Sequence, residues 1–348
     1  MPLRIGLIGA GANTASQHIP GFRRNEGVEV SGVANRSVAS SRRIADQFGI
    51  ATVFDSPEAL CASPEIDAVC IGTWPYKHRE FTIMALEAGK HVLCEARMAM
   101  DATEAEEMFE ASQAHPELVA QLVPAPFDFR VGPTVARLLR EGAIGDVHEA
   151  HITVLNGTGI DRAAPIHWRN QQLFSGRNVM TLGIYNEVIQ RWLGDTVRVV
   201  ADGAVFVPER PDPANGGAPT PADVPDSYTV VARMANGARA VYSFSAMAAA
   251  APFNGIVIHG SKGTIRWTPN SAAGRDGAEF VPLRGEPAAI EPDPGSDRGW
   301  RVEADFVDSV RTGAPVRLTS LADGLKYMRF TDAASRAWQS GQAQECGS

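Results

Sequence analysis

The chain has 348 residues, of which 44% are hydrophobic and 21% charged, and its formal net charge is −8. That length allows two domains with a substantial core, and the composition is that of an ordinary globular protein. The negative charge argues against a nucleic-acid surface. No apolar run nears the roughly 20 residues that cross a bilayer. Met1-Pro2-Leu3-Arg4 enters a strand without the basic and apolar regions of a secretory signal. The expectation is a cytoplasmic protein that engages neither nucleic acid nor membrane. Cys61, Cys70, Cys94 and Cys346 have no zinc-site spacing and read as reduced structural thiols, with no metal expected.

In chain order, residues 3–8 form a short apolar run that ends at Gly9-Ala10-Gly11, the pattern of a buried parallel strand. A helix is expected from about Ser16 to Asn25, a strand over Val28 to Ala34 and a helix over Ser40 to Phe48. A short strand at Val53-Phe54 and a helix near Pro57 to Ala62 follow. Strands at Ala68 to Gly72 and His91 to Cys94 alternate with helices over His78 to Ala88 and Ala102 to Ala114. Leu118 to Val123 reads as a last strand. This alternation implies a doubly wound parallel sheet of the Rossmann type over residues 1–123.

Pro124-Ala125-Pro126 marks a crossing into a second domain, 124–348. Val135 to Glu141 reads as a helix, Val147 to Leu155 as a half-buried strand and Asn178 to Leu193 as a helix. Strand-like runs at Val197 to Phe206, Tyr228 to Met234, Ala238 to Ser245, Gly255 to Gly260 and Gly263 to Trp267 are separated by turns such as Asn236-Gly237. Mainly antiparallel pairing is expected. The Pro- and Gly-rich stretches 208–225 and 269–297 read as long surface loops. Helices at 300–311 and 321–340 close the chain.

Gly9-Ala10-Gly11-Ala12-Asn13-Thr14 lies between a strand and a helix. Gly9 permits the tight turn, and Gly11 lets the backbone approach a pyrophosphate seated on the helix N-terminus. Thr14 stands where such loops usually carry a third glycine. The second strand ends in Asn35 and Arg36, without the acidic residue that binds ribose hydroxyls. Loss of that carboxylate and the nearby guanidinium are compatible with NADP, and stacking of Arg36 on adenine is compatible with NAD.

The stretch Ile66 to Arg97 closely resembles the sugar and polyol dehydrogenases of the Gfo/Idh/MocA family. A strand runs into Thr73-Trp74-Pro75 with His78 following, and a second strand ends in Cys94-Glu95-Ala96-Arg97. In the family that second strand ends in Glu-Lys-Pro, and its lysine is the usual acid/base. Here Glu95 is kept, Ala96 takes the lysine position and Arg97 the proline position. The resemblance places Glu95 near the nicotinamide ribose and Trp74 at the wall of the nicotinamide pocket. It also implies that Thr181 takes the family's aspartate position and Tyr185 its His/Tyr position, one helical turn apart. His167-Trp168-Arg169 resembles the segment that precedes that helix. His167 has the titration range for proton transfer, and Arg169 suits a carboxylate or hydroxyl-rich ligand. Lys77 is the one lysine within plausible reach of the site.

What the resemblance implies is an α/β protein with a Rossmann domain and a second α/β domain built on a large, mainly antiparallel open sheet. It further implies NAD or NADP, a carbohydrate-like substrate and a homodimer or homotetramer. The expected activity is oxidation or reduction of a secondary alcohol or ketone of a sugar, glycoside or cyclitol. Tyr185, His167, Thr181 and Lys77 are the candidate catalytic groups. Two alternatives stand beside it: a glycosidase or lyase that oxidises a sugar hydroxyl transiently, and a non-catalytic nucleotide-binding protein.

Overall fold

The computed structural model describes residues 1–269 and 275–347, in two compact units. The first unit comprises Met1–Pro124 with Arg301–Leu325, and the second Ala125–Trp300 with Lys326–Ser348. Sequence patterning assigns 301–325 to the second domain. The structure returns this segment to the first, because the apolar face of its helix packs there. Periodicity shows that a helix needs a partner but not which one.

The first unit is a six-stranded, all-parallel sheet in the order β3-β2-β1-β4-β5-β6. Its strands are β1 (Leu3–Ile8), β2 (Val28–Ala34), β3 (Thr52–Val53), β4 (Ala68–Ile71), β5 (His91–Cys94) and β6 (Ala120–Leu122). Ile5, Leu7, Val33, Val69, Cys70, Val92 and Leu93 are almost wholly buried, as strands covered on both faces require. The connecting helices are α1 (Ile19–Arg23), α2 (Val38–Phe48), α3 (Pro57–Ala62), α4 (His78–Glu87) and α5 (Ala102–Ala114). Helical structure begins already at Ala12, and Thr14–His18 is a π-helical turn leading into α1.

The second unit begins with α6 (Gly132–Arg140), β7 (Val147–Leu155), α7 (Gln172–Ser175), α8 (Leu182–Leu193) and β8 (Thr196–Ala204). After them come β9 (Glu209–Asp212), β10 (Ala218–Pro221), β11 (Ser227–Met234), β12 (Arg239–Ser245), β13 (Phe253–Gly260), β14 (Gly263–Thr268), β15 (Gly277–Pro282) and β16 (Ala288–Ile290). α9 (Val302–Thr312) belongs to the first unit, α10 (Leu321–Ser340) contributes to both, and β17 (Gln344–Glu345) ends the chain. Nine strands form a sheet in the order β16-β15-β14-β13-β7-β12-β11-β8-β17, antiparallel except for β7 with β12. Its inner face buries Ile152, Tyr242, Phe244, Ile256, Ile258 and Ile265 against Val188, Ile189 and Trp192 of α8 and Phe330, Ala333 and Ala337 of α10.

Three expected features differ. The Pro-rich stretch 208–225 is not a plain loop: β9 and β10 pair as a two-stranded ribbon, where prolines cost little because ribbon strands are edges. Buried Arg210 anchors it by donating to the carbonyls of Asp161 and Gly159, at 2.7 and 2.6 Å. Within 269–297, β15 and β16 extend the large sheet, and residues 270–274 lie outside the described residues. α8 starts at Leu182 rather than Asn178, because Met180 has φ +45° and interrupts a helical path.

Candidate active site

In the first unit, β1 delivers the chain into a turn at Gly9, whose φ is +76°. A Cβ there would stand 2.4 Å from Thr73 Cγ2 and 2.8 Å from the Thr73 amide nitrogen, so only glycine fits. Gly11, Ala12 and Asn13 are exposed at the head of the helical run. A Cβ on Gly11 would meet nothing nearer than the Gly9 carbonyl at 3.9 Å, which leaves open room over the backbone. A dinucleotide pyrophosphate fits this cradle, held by backbone amides and the positive end of a helix.

Asn35 sits beside the loop with its side chain turned inward. Its Oδ1 accepts from the Ala10 amide at 2.6 Å, and its Nδ2 donates to the Ser40 carbonyl at 3.2 Å. Asn35 therefore braces the loop backbone. Arg36 is exposed beside it.

β4 and β5 end side by side in the parallel sheet, so the Thr73 turn and Glu95 lie at its carboxyl edge, the usual ligand edge of such sheets. Buried His78 spans between them: Nδ1 is 2.8 Å from the Arg97 carbonyl and Nε2 2.9 Å from the Thr73 carbonyl. Burial lowers its pKa, against the pull of those carbonyls. The Ala96–Arg97 peptide is cis. Trp74 and Tyr76 are exposed and pack at a 57° tilt with centroids 6.3 Å apart.

Glu95 is the most constrained group of this half. Its Oε1 accepts from Asn13 Nδ2 and lies 2.9 Å from His18 Nε2, and its Oε2 accepts from the Ala96 amide at 3.1 Å. His18 Nδ1 is in turn 2.6 Å from Glu303 Oε1 of α9. Burial opposes the Glu95 carboxylate, but His18 and Asn13 outweigh it and hold its pKa below the ordinary value. His18 and Glu303 carry no motif signal. Lys77 is engaged 2.5 Å from Glu80, which raises its pKa and leaves it a poor base in this arrangement.

In the second unit, Tyr185 of α8 is 2% exposed and its hydroxyl donates to Asn254 Oδ1 at 2.5 Å. Phe127 packs 4.4 Å from its ring and Phe244 at 5.5 Å. Burial pushes the phenol up to about 12, against the pull of Asn254. Asn254 lines a cavity of about 1080 Å³ together with Trp267, Phe253 and Thr268. No sequence pattern singles out Asn254; pairing of β13 with β7 brings it to this position. Thr181 precedes α8, and its carbonyl accepts from the Tyr185 amide at 3.1 Å, so the expected one-turn spacing is present. His167 is exposed. Its Nδ1 accepts from the Arg169 amide at 3.2 Å, which assigns the proton to Nε2 when the ring is neutral. Burial, with Arg169 adding to it, lowers its pKa. Arg169 stacks over Trp168, 4.3 Å from the ring centroid.

Residues 3–121 match the oxidoreductase family Gfo/Idh/MocA through its NAD-binding Rossmann fold, and residues 133–266 match that family's C-terminal domain. The chain therefore belongs to the Gfo/Idh/MocA oxidoreductases, and its first unit is their NAD-binding domain. It is 31% identical to levoglucosan dehydrogenase of Pseudarthrobacter phenanthrenivorans, over 67% of this chain and 63% of that protein. It is 27% identical to D-glucoside 3-dehydrogenase of Escherichia coli, over 53% of this chain and 52% of that protein. The fold matches an oxidoreductase domain protein from Kribbella flavida with a TM-score of 0.87 at 24% identity over the whole of both chains.

Proposed function

We propose that this chain uses NAD or NADP to interconvert a secondary alcohol and a ketone on a sugar, glycoside or cyclitol. The observation that carries the reading is the pairing of an open glycine cradle with Glu95, fixed by Asn13 at the same sheet edge. Two sugar-acting dehydrogenases among the relatives supply the substrate class. When bound, the nicotinamide ring accepts or donates hydride at C4. Gly9, Gly11, Ala12 and Asn13 hold the pyrophosphate through the loop backbone, Glu95 accepts from ribose hydroxyls, and Thr73, Trp74 and His78 shape the ring pocket. The absence of a carboxylate at position 35, with Arg36 exposed, admits a 2′-phosphate as well as a free hydroxyl.

Proton handling falls to the second unit. His167, with its proton on Nε2 when neutral, offers that N–H as a hydrogen-bond donor to a substrate hydroxyl or alkoxide. Tyr185 keeps its own proton and aims it at Asn254, whose amide then faces the cavity. Thr181 and the Trp168–Arg169 stack supply hydroxyl and guanidinium groups for a polyhydroxylated ligand. A cytoplasmic homodimer or homotetramer completes the proposal.

The test is to incubate the purified protein with NAD or NADP and a panel of sugars, cyclitols and glycosides, following reduced cofactor beside product analysis. Steady reduction is the expected result. Glycoside cleavage without net reduction would replace it by transient oxidation, and nucleotide binding without turnover by a non-catalytic role. Tyr185→Phe is expected to lower turnover at least about tenfold, within the range of a group that handles or orients a proton; an unchanged rate removes Tyr185 from the site.

A further inference from the structure

His18 is wholly buried, yet both of its ring nitrogens face carboxyl oxygens. Nε2 is 2.9 Å from Glu95 and Nδ1 2.6 Å from Glu303. Neither carboxyl is on the surface: the Glu95 side chain is 14% exposed and that of Glu303 2%. The room for Glu303 is built into the helix that carries His18. A Cβ on Gly21 would stand 2.3 Å from Glu303 Oε2, so any larger residue there would push the carboxyl out of line. The three groups come from the π-helical turn after the glycine loop, the end of β5 and the first turn of α9, so tertiary packing alone assembles them.

We propose that His18, backed by Glu303, is a positioning residue that fixes the Glu95 carboxylate in one orientation beside Asn13 and keeps it charged. The proposal deepens the dinucleotide reading in one respect, because Glu95 is the group that meets the ribose. A nearly buried carboxylate without a cation takes up a proton rather than bear the loss of water. A protonated or swinging Glu95 presents a different hydrogen-bonding face to a hydroxyl donor. The imidazolium between the two carboxyls removes both possibilities, and Glu303 keeps the imidazole charged by facing its far nitrogen.

The groups that face this centre agree with that assignment. Glu95 and Glu303 raise His18 to about 9 against burial. Cys70 on β4 and Cys94 on β5 lie within electrostatic reach of Glu95, and burial pushes both thiols far up, so they stay neutral. His78 on α4 also acts on Glu95, but burial lowers its pKa and leaves His18 as the cation at neutral pH.

The test follows the Glu95 carboxyl carbon and the His18 ring by NMR in the full chain without nucleotide, beside NADH and NADPH affinity by fluorescence. In the wild type the two signals should move together near pH 9. In His18→Gln, Glu95 should titrate at a higher pH than in the wild type. Nucleotide affinity at pH 7 should fall about tenfold, the size of one charge-assisted hydrogen bond, and should recover as pH rises. Glu95→Gln should lose the affinity and all of this pH dependence, and adding His18→Gln to it should weaken binding no further. A well-folded His18→Gln protein with wild-type Glu95 titration and a flat affinity profile would overturn the proposal. Should that variant fail to fold, the joint titration in the wild type and the Glu303→Gln protein decides instead, and independent titrations there overturn it. Joint titration without nucleotide binding would overturn the dinucleotide reading while supporting the charge-holding role. Wild-type binding with independent titration would do the reverse.

Discussion

Single residues decide what each part of the candidate site can do. Ala96 follows Glu95 with no ammonium of its own, and Lys77 is tied to Glu80. Gly9 is fixed by its positive φ and by the closeness of Thr73. Gly9→Ala should cost about 1–3 kcal/mol of stability, the usual cost of a strained backbone position, and should abolish NADH binding; denaturant unfolding and fluorescence titration read the two effects. Tyr185→Phe leaves Asn254 Oδ1 without its donor, so an unfolding cost of about 1–3 kcal/mol is expected beside the loss of turnover. His18 also gives the fold a pH signature. Its pKa is raised from 6.5 to about 9 in the folded state. The folded protein therefore holds the proton more tightly than the unfolded chain. That stabilisation is fully present below about pH 6.5 and is lost as pH rises through about 9. Urea midpoints of the wild type should fall across that window, and those of His18→Gln should not.

At the scale of elements, local signals and tertiary partners divide the work. α5 starts where Asp101 accepts from the Glu104 amide at 3.0 Å, a side-chain cap readable from Asp followed three residues later by Glu. Asp101→Ala should destabilise the protein by about 1 kcal/mol with no change in nucleotide affinity, measured by thermal unfolding. α9 shows the opposite balance. Val302, Phe306 and Val307 give it an apolar stripe, and Glu303 interrupts that stripe because it has a buried partner in His18. The π-helical turn that carries His18 has no marker in the sequence.

The whole molecule joins a fully covered parallel sheet to a large sheet with helices on one side. On the other side of the large sheet, Val200, Val231, Val241, His151 and Val257 stand in one cross-strand row, with Val200 45% exposed. Four valines in a row, interrupted by His151, on a face that no helix covers suit a subunit interface. Light scattering should give a mass two or four times 37.2 kDa, and Val241→Glu should lower it; a monomeric wild type would remove the oligomer from the proposal.

The sequence by itself determined the alternation of strands and helices, the glycine turn, the crossing near Pro124 and the family, because these depend on short-range periodicity and on residues adjacent in the chain. Only the tertiary structure decided that Asn35 turns inward to brace the loop, that Tyr185 spends its proton on Asn254, and that His18 and Glu303, 285 residues apart, close on Glu95. The reason is common to all three: a polar group is directed by whichever partner the fold buries beside it, and that partner comes from a distant part of the chain.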